Sequence, residues 1–433
     1  MKVTANNRLF RAWRIFAIAL IVFVAVIAVI SVRAHAASWA GKVSTVNGVK
    51  TIVNPATGFA PDATVKLSEV WRLGGTSESD EDLFGVISDI DIDSAGDVYL
   101  LDSQLSEVKI YSRTGEFVRS IGREGEAPGE FRRPVSMFFT DDGNVAVIQM
   151  MPGKIVTLSK DGKPMGDISL PQAPDGGFQI VQGGDARGGN IVLFMGRQKF
   201  DQVAKRWSRD SFLASVTPQG KQVAEYCKKE NVIDMAAPVL DDAQWDTFER
   251  RWEVGPDGKV YAANSYDNYA ITVYDKTGKV EEVITRESKH LPRTPREKDV
   301  MTKAMSFYSK MIPNCKVSIH DTAKDIDAFY LRDDGSIWVM SAAGSRNATR
   351  GTLGTFDVFN PEGQFVKSVT LQGQGNPVED LYVFERDRFY VVTNFLTASM
   401  SAQGVDGMEA GGEDAEPMSV ICYKLEGDNI AAR

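Results

Sequence analysis

The sequence predicts an all-β chain folded as a six-bladed β-propeller with four-stranded blades, preceded by an N-terminal transmembrane or signal helix. Three observations carry that expectation. A strand, Gly turn, strand unit recurs six times. Within each unit the strands grade from wholly apolar to alternating. A surplus strand before the first unit matches a missing strand at the end of the last.

The chain begins with Lys2, Arg8, Arg11 and Arg14 and no acid, followed by eighteen uncharged residues from Ile15 to Val32. A run of that length is close to the roughly 20 apolar residues that cross a bilayer. Ala34 to Ala37, "AHAA", has the small-residue pattern of a signal-peptidase site, so cleavage near Ala36 is the alternative to an uncleaved anchor. Either way the basic flank stays on the cytoplasmic side and the rest is exported, periplasmic or extracellular. Residues 1–33 are thus the basic N-terminus with anchor or signal, and 34–63 a linker.

Five of the 49 basic residues and none of the 58 acidic ones fall within the first 33, so the remainder carries 44 against 58, a net charge of −14. Such a surface repels phosphate backbones, and nucleic acid is not an expected partner. Three cysteines make no disulfide framework.

The propeller is expected over residues 64–427, with 428–433 as a tail. Its units are marked by "IDIDSAGDVYLLD", "MFFTDDGNVAVIQ", "GGDARGGNIVLFM", "WEVGPDGKVYAAN", "FYLRDDGSIWVM" and "YVFERDRFYVVTN", with turns at Gly96, Gly143, Gly189, Gly258, Gly335 and, in the sixth, Asp387. Asp-Gly pairs between β-branched and aromatic runs are hairpin turns. Six metal loops without spaced oxygen ligands would be a poor reading of the same residues. A second hairpin follows in each unit, as in "VKIYSRTGEFVRSIG" and "ITVYDKTGKVEEVI". First and second strands such as "VYLL" are apolar on both faces, whereas later ones such as "EFVRSIG" alternate. Inner strands sandwiched between blades and wet outer ones give that gradient. The sixth unit supplies three strands, and Thr64–Gly75, "TVKLSEVWRLGG", is expected to complete it and close the ring.

"GREGEAPGEFRRPVSMFFTDDGNVAV", Gly122 to Val147, resembles the linking segment of NHL-repeat proteins in its Gly-x-x-Gly, Gly-Glu-Phe and following Pro134. More broadly the six units are similar to the bacterial six-bladed propellers of the NHL and TolB-like kind. The resemblance implies a fold and no particular reaction. Some six-bladed propellers are calcium-dependent lactonases or zinc-dependent lyases; the lyases gather several histidines, and beyond His35 this chain has only His290 and His320.

First and second Gly turns lie 19 residues apart in units one and two and 20 in unit four, but 31, 28 and 40 in units three, five and six. With long connections at 225–249 and 285–326 and an insertion at 394–418, the surplus falls on one face, opposite the short turns. In repeat folds an elaborated face is often the binding face. Thr294, Pro295 and Glu297 begin a helix with a capping box, and Pro313 ends it. Its Met301, Met305, Phe307 and Tyr308 either pack on the ring or form a Met-rich partner surface. Ser401–Ser419 reads as a disordered acidic loop.

The residues seven before each turn are Asp89, Ser136, Gln182, Arg251, Ala328 and Asp380, five of them polar. They are the candidates for a site at the channel mouth on the elaborated face. Asp89 and Asp380 would be the ligands were the site to hold calcium; no other cofactor is expected. Cys227 and Cys315 bracket the fourth unit and are a candidate disulfide. The sequence favours a noncatalytic scaffold that binds a protein or peptide through the loop-rich face and reaches the membrane through its N-terminal segment. The alternative is a calcium-dependent hydrolase, lactonase- or esterase-like, at the channel mouth.

Overall fold

The turn acids act on their own backbones. Asp93 Oδ1 accepts from the amides of Ala95, Gly96 and Asp97 at 2.8, 2.9 and 3.0 Å, and Asp334 Oδ1 accepts from Ser336 N at 2.9 Å. Gly96 and Gly335, at φ 94° and 79°, take the left-handed conformation these bends require. In a computed structural model of the chain, describing residues 38–77, 79–173, 177–346, 348–404 and 417–425, such hairpins build six antiparallel sheets.

The blades begin with the strands Ile87–Ile92, Pro134–Phe139, Phe178–Arg187, Trp252–Val254, Ile326–Leu331 and Leu381–Glu385. These innermost strands neighbour one another from the first blade to the fifth, and the sixth returns to the first. The burial gradient is as expected: all of Val98–Asp102 is buried, whereas in the outer strand Phe117–Ile121 only Ile121 is. Apolar side chains of every blade mesh with the next. One cluster joins each successive pair, including Trp71, Ile90 and Tyr390 between the sixth blade and the first. A ring with a core at every interface has no open end.

Closure comes from Ser68–Gly74, which pairs antiparallel with Ser419–Lys424 as the sixth blade's outer strand. The preceding residues depart from expectation. Ala63–Lys66 adds a parallel fifth strand to the fifth blade, and the stretch read as a linker contains a hairpin, Lys42–Val46 and Val49–Asn54, whose second strand runs parallel to Val280–Arg286 of the fourth blade. The N-terminal chain therefore walks along three blades before closing the ring. Val43, Val46 and Val53 stay exposed on the hairpin, and this weak apolar pattern is why the sequence does not advertise it.

The third unit's extra length is strand rather than loop. Asn190–Asp201, Arg206–Val216 and Gln222–Asp234 extend the sheet, so the first ten residues of the 225–249 insertion belong to a strand. The long connection to the fifth blade forms the helix Pro295–Ser309 with its capping box: Thr294 Oγ1 accepts from Glu297 N at 3.3 Å, and Thr294 N donates to Glu297 Oε2 at 2.6 Å. A shorter helix, Phe395–Ala402, starts the sixth blade's insertion. The expected anchor at Ile15–Val32, the cleavage motif at Ala34–Ala37 and most of Ser401–Ser419 lie outside the described residues. Among the described residues no helix is long and apolar enough to cross a membrane.

Candidate functional site: the central channel and its roof

A cavity of 2320 Å³ runs through the ring from the short-turn end of the inner strands to the underside of the Pro295–Ser309 helix. Alternation along each inner strand decides what faces it. On the first blade Asp89 and Asp91, two apart, share a face; Asp185 and Arg187 do so on the third, joined by Glu253 of the fourth and Glu385 of the sixth. These charged residues sit near the hairpin end of their strands and form the channel floor.

Their electrostatics follow from depth. Burial pushes the Asp89 carboxyl up to about 6, although it accepts from Met137 N, Ser136 Oγ and Ile90 N, each at 2.9 Å. Burial raises Asp91 well above the usual carboxylate range, and Glu385 adds to this. Burial likewise raises Glu253 well above its ordinary value, with Asp185 and Glu385 reinforcing the shift. Glu385 is pushed up to about 7 by burial, against the opposing pull of Arg187. Asp185 is raised by burial and held back by Arg187. Arg187 is the cation that opposes the shifts of Asp185, Glu253 and Glu385 and is itself tied to Asp333 at 2.6 Å. Several carboxylates around one arginine cannot all ionise in a low-dielectric channel, so the floor holds protons near neutrality.

Arginines and aromatic rings line the other end. The Arg209 guanidinium lies 4.2 Å over the Trp245 ring and that of Arg250 5.0 Å over Phe395. The helix closes above them. Met305 is buried, and with Met301 and Tyr308 it packs into a cluster containing Trp207, Trp245 and Ile312. Ion pairs hold the N-terminal half of this roof, Arg296 to Glu379 of the sixth blade's approach and Glu297 to Arg346 at 2.6 Å.

Of the channel-mouth candidates, Asp89, Ser136 and Gln182 line the cavity, and Asp89 and Ser136 are in direct contact. Arg251 does not join them. It is 1% exposed, donates to Ser265 O at 2.7 Å and pairs with Asp246, whose carboxyl is held below the usual range by Lys324, Arg251 and Lys229 despite burial. Asp380 also stands apart, its two oxygens accepting from Asn376 N at 2.7 Å and Asn394 N at 2.9 Å. Asp89 and Asp380 thus have separate partners. For Asp380 the cause is register: the third and sixth blades turn in two residues where the others use five, and β-bulges interrupt inner strands at Ile87/Asp89, Val181/Gly183 and Ile326/Ala328, so counting back from the turn drifts. Arg251 keeps the count, since its blade has a five-residue turn and an unbroken ladder, but it precedes the short strand Trp252–Val254 and is held by Asp246 and Ser265.

Of the partner-surface residues, Met305 faces inward, and Met301 and Tyr308 support the roof, because the helix's apolar stripe finds Trp207 and Trp245 beneath it, which is the packing alternative the sequence also allowed. Phe307 is half-buried against Tyr308 and lines the cavity. Cys227 and Cys315 are both free. Cys227 packs between the third and fourth blades and Cys315 at the edge of the roof cluster, which keeps them apart.

Asp91, Asp185, Arg187, Glu253 and Glu385 were missed from sequence. A signal existed: in "DID", "DAR", "WEV" and "VFE" a charge interrupts an apolar inner strand just before its turn.

The shape has relatives. A candidate exported protein from Bacteroides fragilis superposes with a TM-score of 0.44 at 11% identity, over 84% of this chain and 100% of that one. Virginiamycin B lyase from Staphylococcus aureus gives 0.39 at 10%, over 81% and 98%, and the calcium-binding protein regucalcin from Agrobacterium tumefaciens 0.40 at 11%, over 84% and 97%. No curated protein is recognisable as a relative from sequence. The family model DUF5128, described as a 6-bladed beta-propeller, matches residues 76–331. The chain belongs to that family of six-bladed propellers.

Proposed function

We propose that the protein is an exported, noncatalytic binding module that takes part of a protein or peptide ligand into its central cavity from the loop-rich side. In this reading Ile15–Val32 anchors it at the outer face of the cytoplasmic membrane, with release by cleavage near Ala36 as the alternative. Kinship with NHL-repeat and TolB-like propellers, suggested by Gly122–Val147, belongs to the same reading.

The observation that carries it is the roofed cavity. At 2320 Å³ it exceeds the roughly 300–1,000 Å³ of a drug-sized pocket and suits an extended segment. Aromatic and methionine side chains lie at one end, charges at the other, and a helix tethered to two sides of the ring covers the mouth. Native mass spectrometry of protein purified from its own membranes tests the reading. A ligand that co-purifies, and is lost when bulky residues fill the cavity at Ser136 and Gln182, is expected; an empty protein under every extraction condition overturns it.

A calcium-dependent hydrolase is the second reading, for which Asp89, Asp91 and Glu385 offer hard oxygen atoms to the cavity, although among the described residues three acidic or histidine ligand atoms converge at Asp241, Asp242 and His320 and not on this floor. Saturating calcium at 100 times its Kd stabilises a protein by about 2.7 kcal/mol. A melting shift of that order with calcium, reversed by chelator and accompanied by lactone hydrolysis, would favour this reading over the first.

A further inference from the structure

The cavity is polarised, and its two ends ask for opposite charges on one ligand. At the floor, Asp91, Glu253 and Glu385 come from three blades and face a shared space. Among the described residues no hydrogen bond from another side chain reaches Glu253 or Glu385, and Arg187, the cation beside them, is turned toward Asp333. Asp89 and Asp185, also on the floor, are met by backbone amides, and Asp91 accepts from Ile92 N at 2.7 Å. At the mouth the deficit is reversed. Arg209 is half-buried, stacked on Trp245, and reaches the Trp245 carbonyl only at 3.5 Å. Arg250 stacks on Phe395. Among the described residues neither forms an ion pair, and Glu249 acts on Arg209 only at longer range. Neighbouring arginines differ: Arg293, Arg296 and Arg346 are each matched to a carboxylate. Arg209, half-buried beside the cavity and without an ion pair among the described residues, is an observation independent of the acidic floor; Arg250 next to it is exposed.

We propose that the cavity binds a short peptide with a free amino terminus, its ammonium group seated among Asp91, Glu253 and Glu385 and a carboxylate of the same peptide meeting Arg209 and Arg250. The proposal rests on the binding reading above and names its ligand. An ammonium supplies three donors to carboxylates that no side-chain donor reaches among the described residues, and a guanidinium presents a fork that fits a carboxylate. The apolar rings between the two ends accept side chains without demanding a sequence. Because the floor is partly protonated in the free protein, a cationic group must displace protons as it enters. Affinity therefore rises as pH increases from 5 to about 7, with Asp89, Asp91 and Asp185, Glu253, Arg187 and Asp333 all acting on Glu385, and levels off or falls above about 8, where the free peptide's own amino group loses its proton.

A pooled pentapeptide library, offered to the full chain with free and with acetylated amino termini, tests it by mass spectrometry of what the protein retains. Free peptides are expected to be retained at least tenfold over their acetylated twins. Retention should fall tenfold or more in Glu253→Gln with Glu385→Gln, and Arg209→Ala should weaken peptides ending in a carboxylate while sparing their amides. Calorimetry of one retained peptide in two buffers of different ionisation enthalpy should show proton release. Equal retention of acetylated peptides, or retention untouched by the paired Gln substitutions in protein that melts normally, overturns the proposal and leaves the binding reading standing. Retention of no peptide also overturns it; if membrane-purified protein carries no other ligand either, the binding reading falls as well. The acetylation comparison needs no variant and stands even where a substitution disturbs folding.

Discussion

Arg187 of the third blade donates to Asp333 of the fifth at 2.6 Å, tying two non-adjacent blades across the channel floor. The acidic turn at Asp333 and Asp334 therefore does two things. Asp334 folds back on Ser336 N to make the bend, while Asp333 reaches into the ring. Replacing Asp333 by Asn should leave the hairpin intact and cost no more than about 1 kcal/mol, because its side chain is more than half exposed. Replacing Arg187 by Met should do something different. It removes the guanidinium that opposes the shift of Glu385, whose midpoint should move upward from about 7 in carboxyl-carbon NMR titration. An unchanged midpoint would mean that Arg187 does not govern the floor.

The floor also fixes how stability depends on pH. Asp89 and Glu385 titrate at about 6 and about 7 in the folded protein, above the values of free carboxylates. Through these two groups the native state binds more protons than the unfolded chain between roughly pH 4 and 7, so their contribution to stability is fully present below that window and is lost as pH rises through it. Melting temperature at constant ionic strength should fall from pH 5 to pH 8. Glu385→Gln, neutral throughout, should flatten the curve and melt higher than the wild type at pH 8.

The ring was legible in the sequence because its information is local and repeated. A Gly turn flanked by apolar runs says hairpin wherever it occurs, and six of them with one strand missing say closure. Thr294 and Glu297 announced their helix for the same reason, since a capping box lies within four residues. The site was less legible because its members are brought together by register. A bulge at Val181/Gly183 or a two-residue turn after Glu385 shifts a side chain from one face to the other without changing the apolar pattern that marks the strand. Asp89 and Ser136 were found because no bulge lies between them and their counting mark, and Gln182 reaches the cavity although a bulge and a two-residue turn intervene. Arg251 and Asp380 were drawn to backbone and buried partners beside the strand starts. The Lys42–Asn54 hairpin escaped because its register is set by the outer edge of the fourth blade, more than two hundred residues away.

Thiol chemistry should follow packing. Burial pushes the Cys227 and Cys422 thiols up to about 12, and neither is exposed. Cys315 is half-exposed and donates to Lys316 O at 3.4 Å. A colourimetric thiol reagent should therefore modify one cysteine quickly in the folded protein and the other two only on unfolding, with Cys315→Ser abolishing the fast phase. Two fast thiols, or none without reductant, would contradict the packing described.

Closure depends on Trp71, which packs between the sixth and first blades and donates Nε1 to Arg113 O at 3.1 Å. Trp71→Ala should cost about 3–5 kcal/mol in urea unfolding, the range for a large core truncation. The loss should be a loss of cooperativity as well if the ring opens at this seam, seen as separate transitions by fluorescence and circular dichroism.

The walk of the N-terminal chain along three blades turns on Asn54, which is 1% exposed. Its Nδ2 donates to Thr285 O at 3.0 Å and Gly363 O at 2.9 Å, and its Oδ1 accepts from Phe365 N at 2.7 Å and Trp39 Nε1 at 2.9 Å. One amide thus joins the added hairpin to the fourth blade and to the second hairpin turn of the fifth. Alanine here would strand two carbonyls and an amide in a site water does not reach, at about 3 kcal/mol. Aspartate keeps the acceptor but loses both donated bonds and buries a charge, so it should be no milder. Hydrogen exchange distinguishes a local from a global role: in Asn54→Ala the amides of Val49–Val53 should lose protection first, while Val145–Gln149 in the second blade keep theirs. Equal loss in both would mean that the hairpin and the ring unfold as one unit.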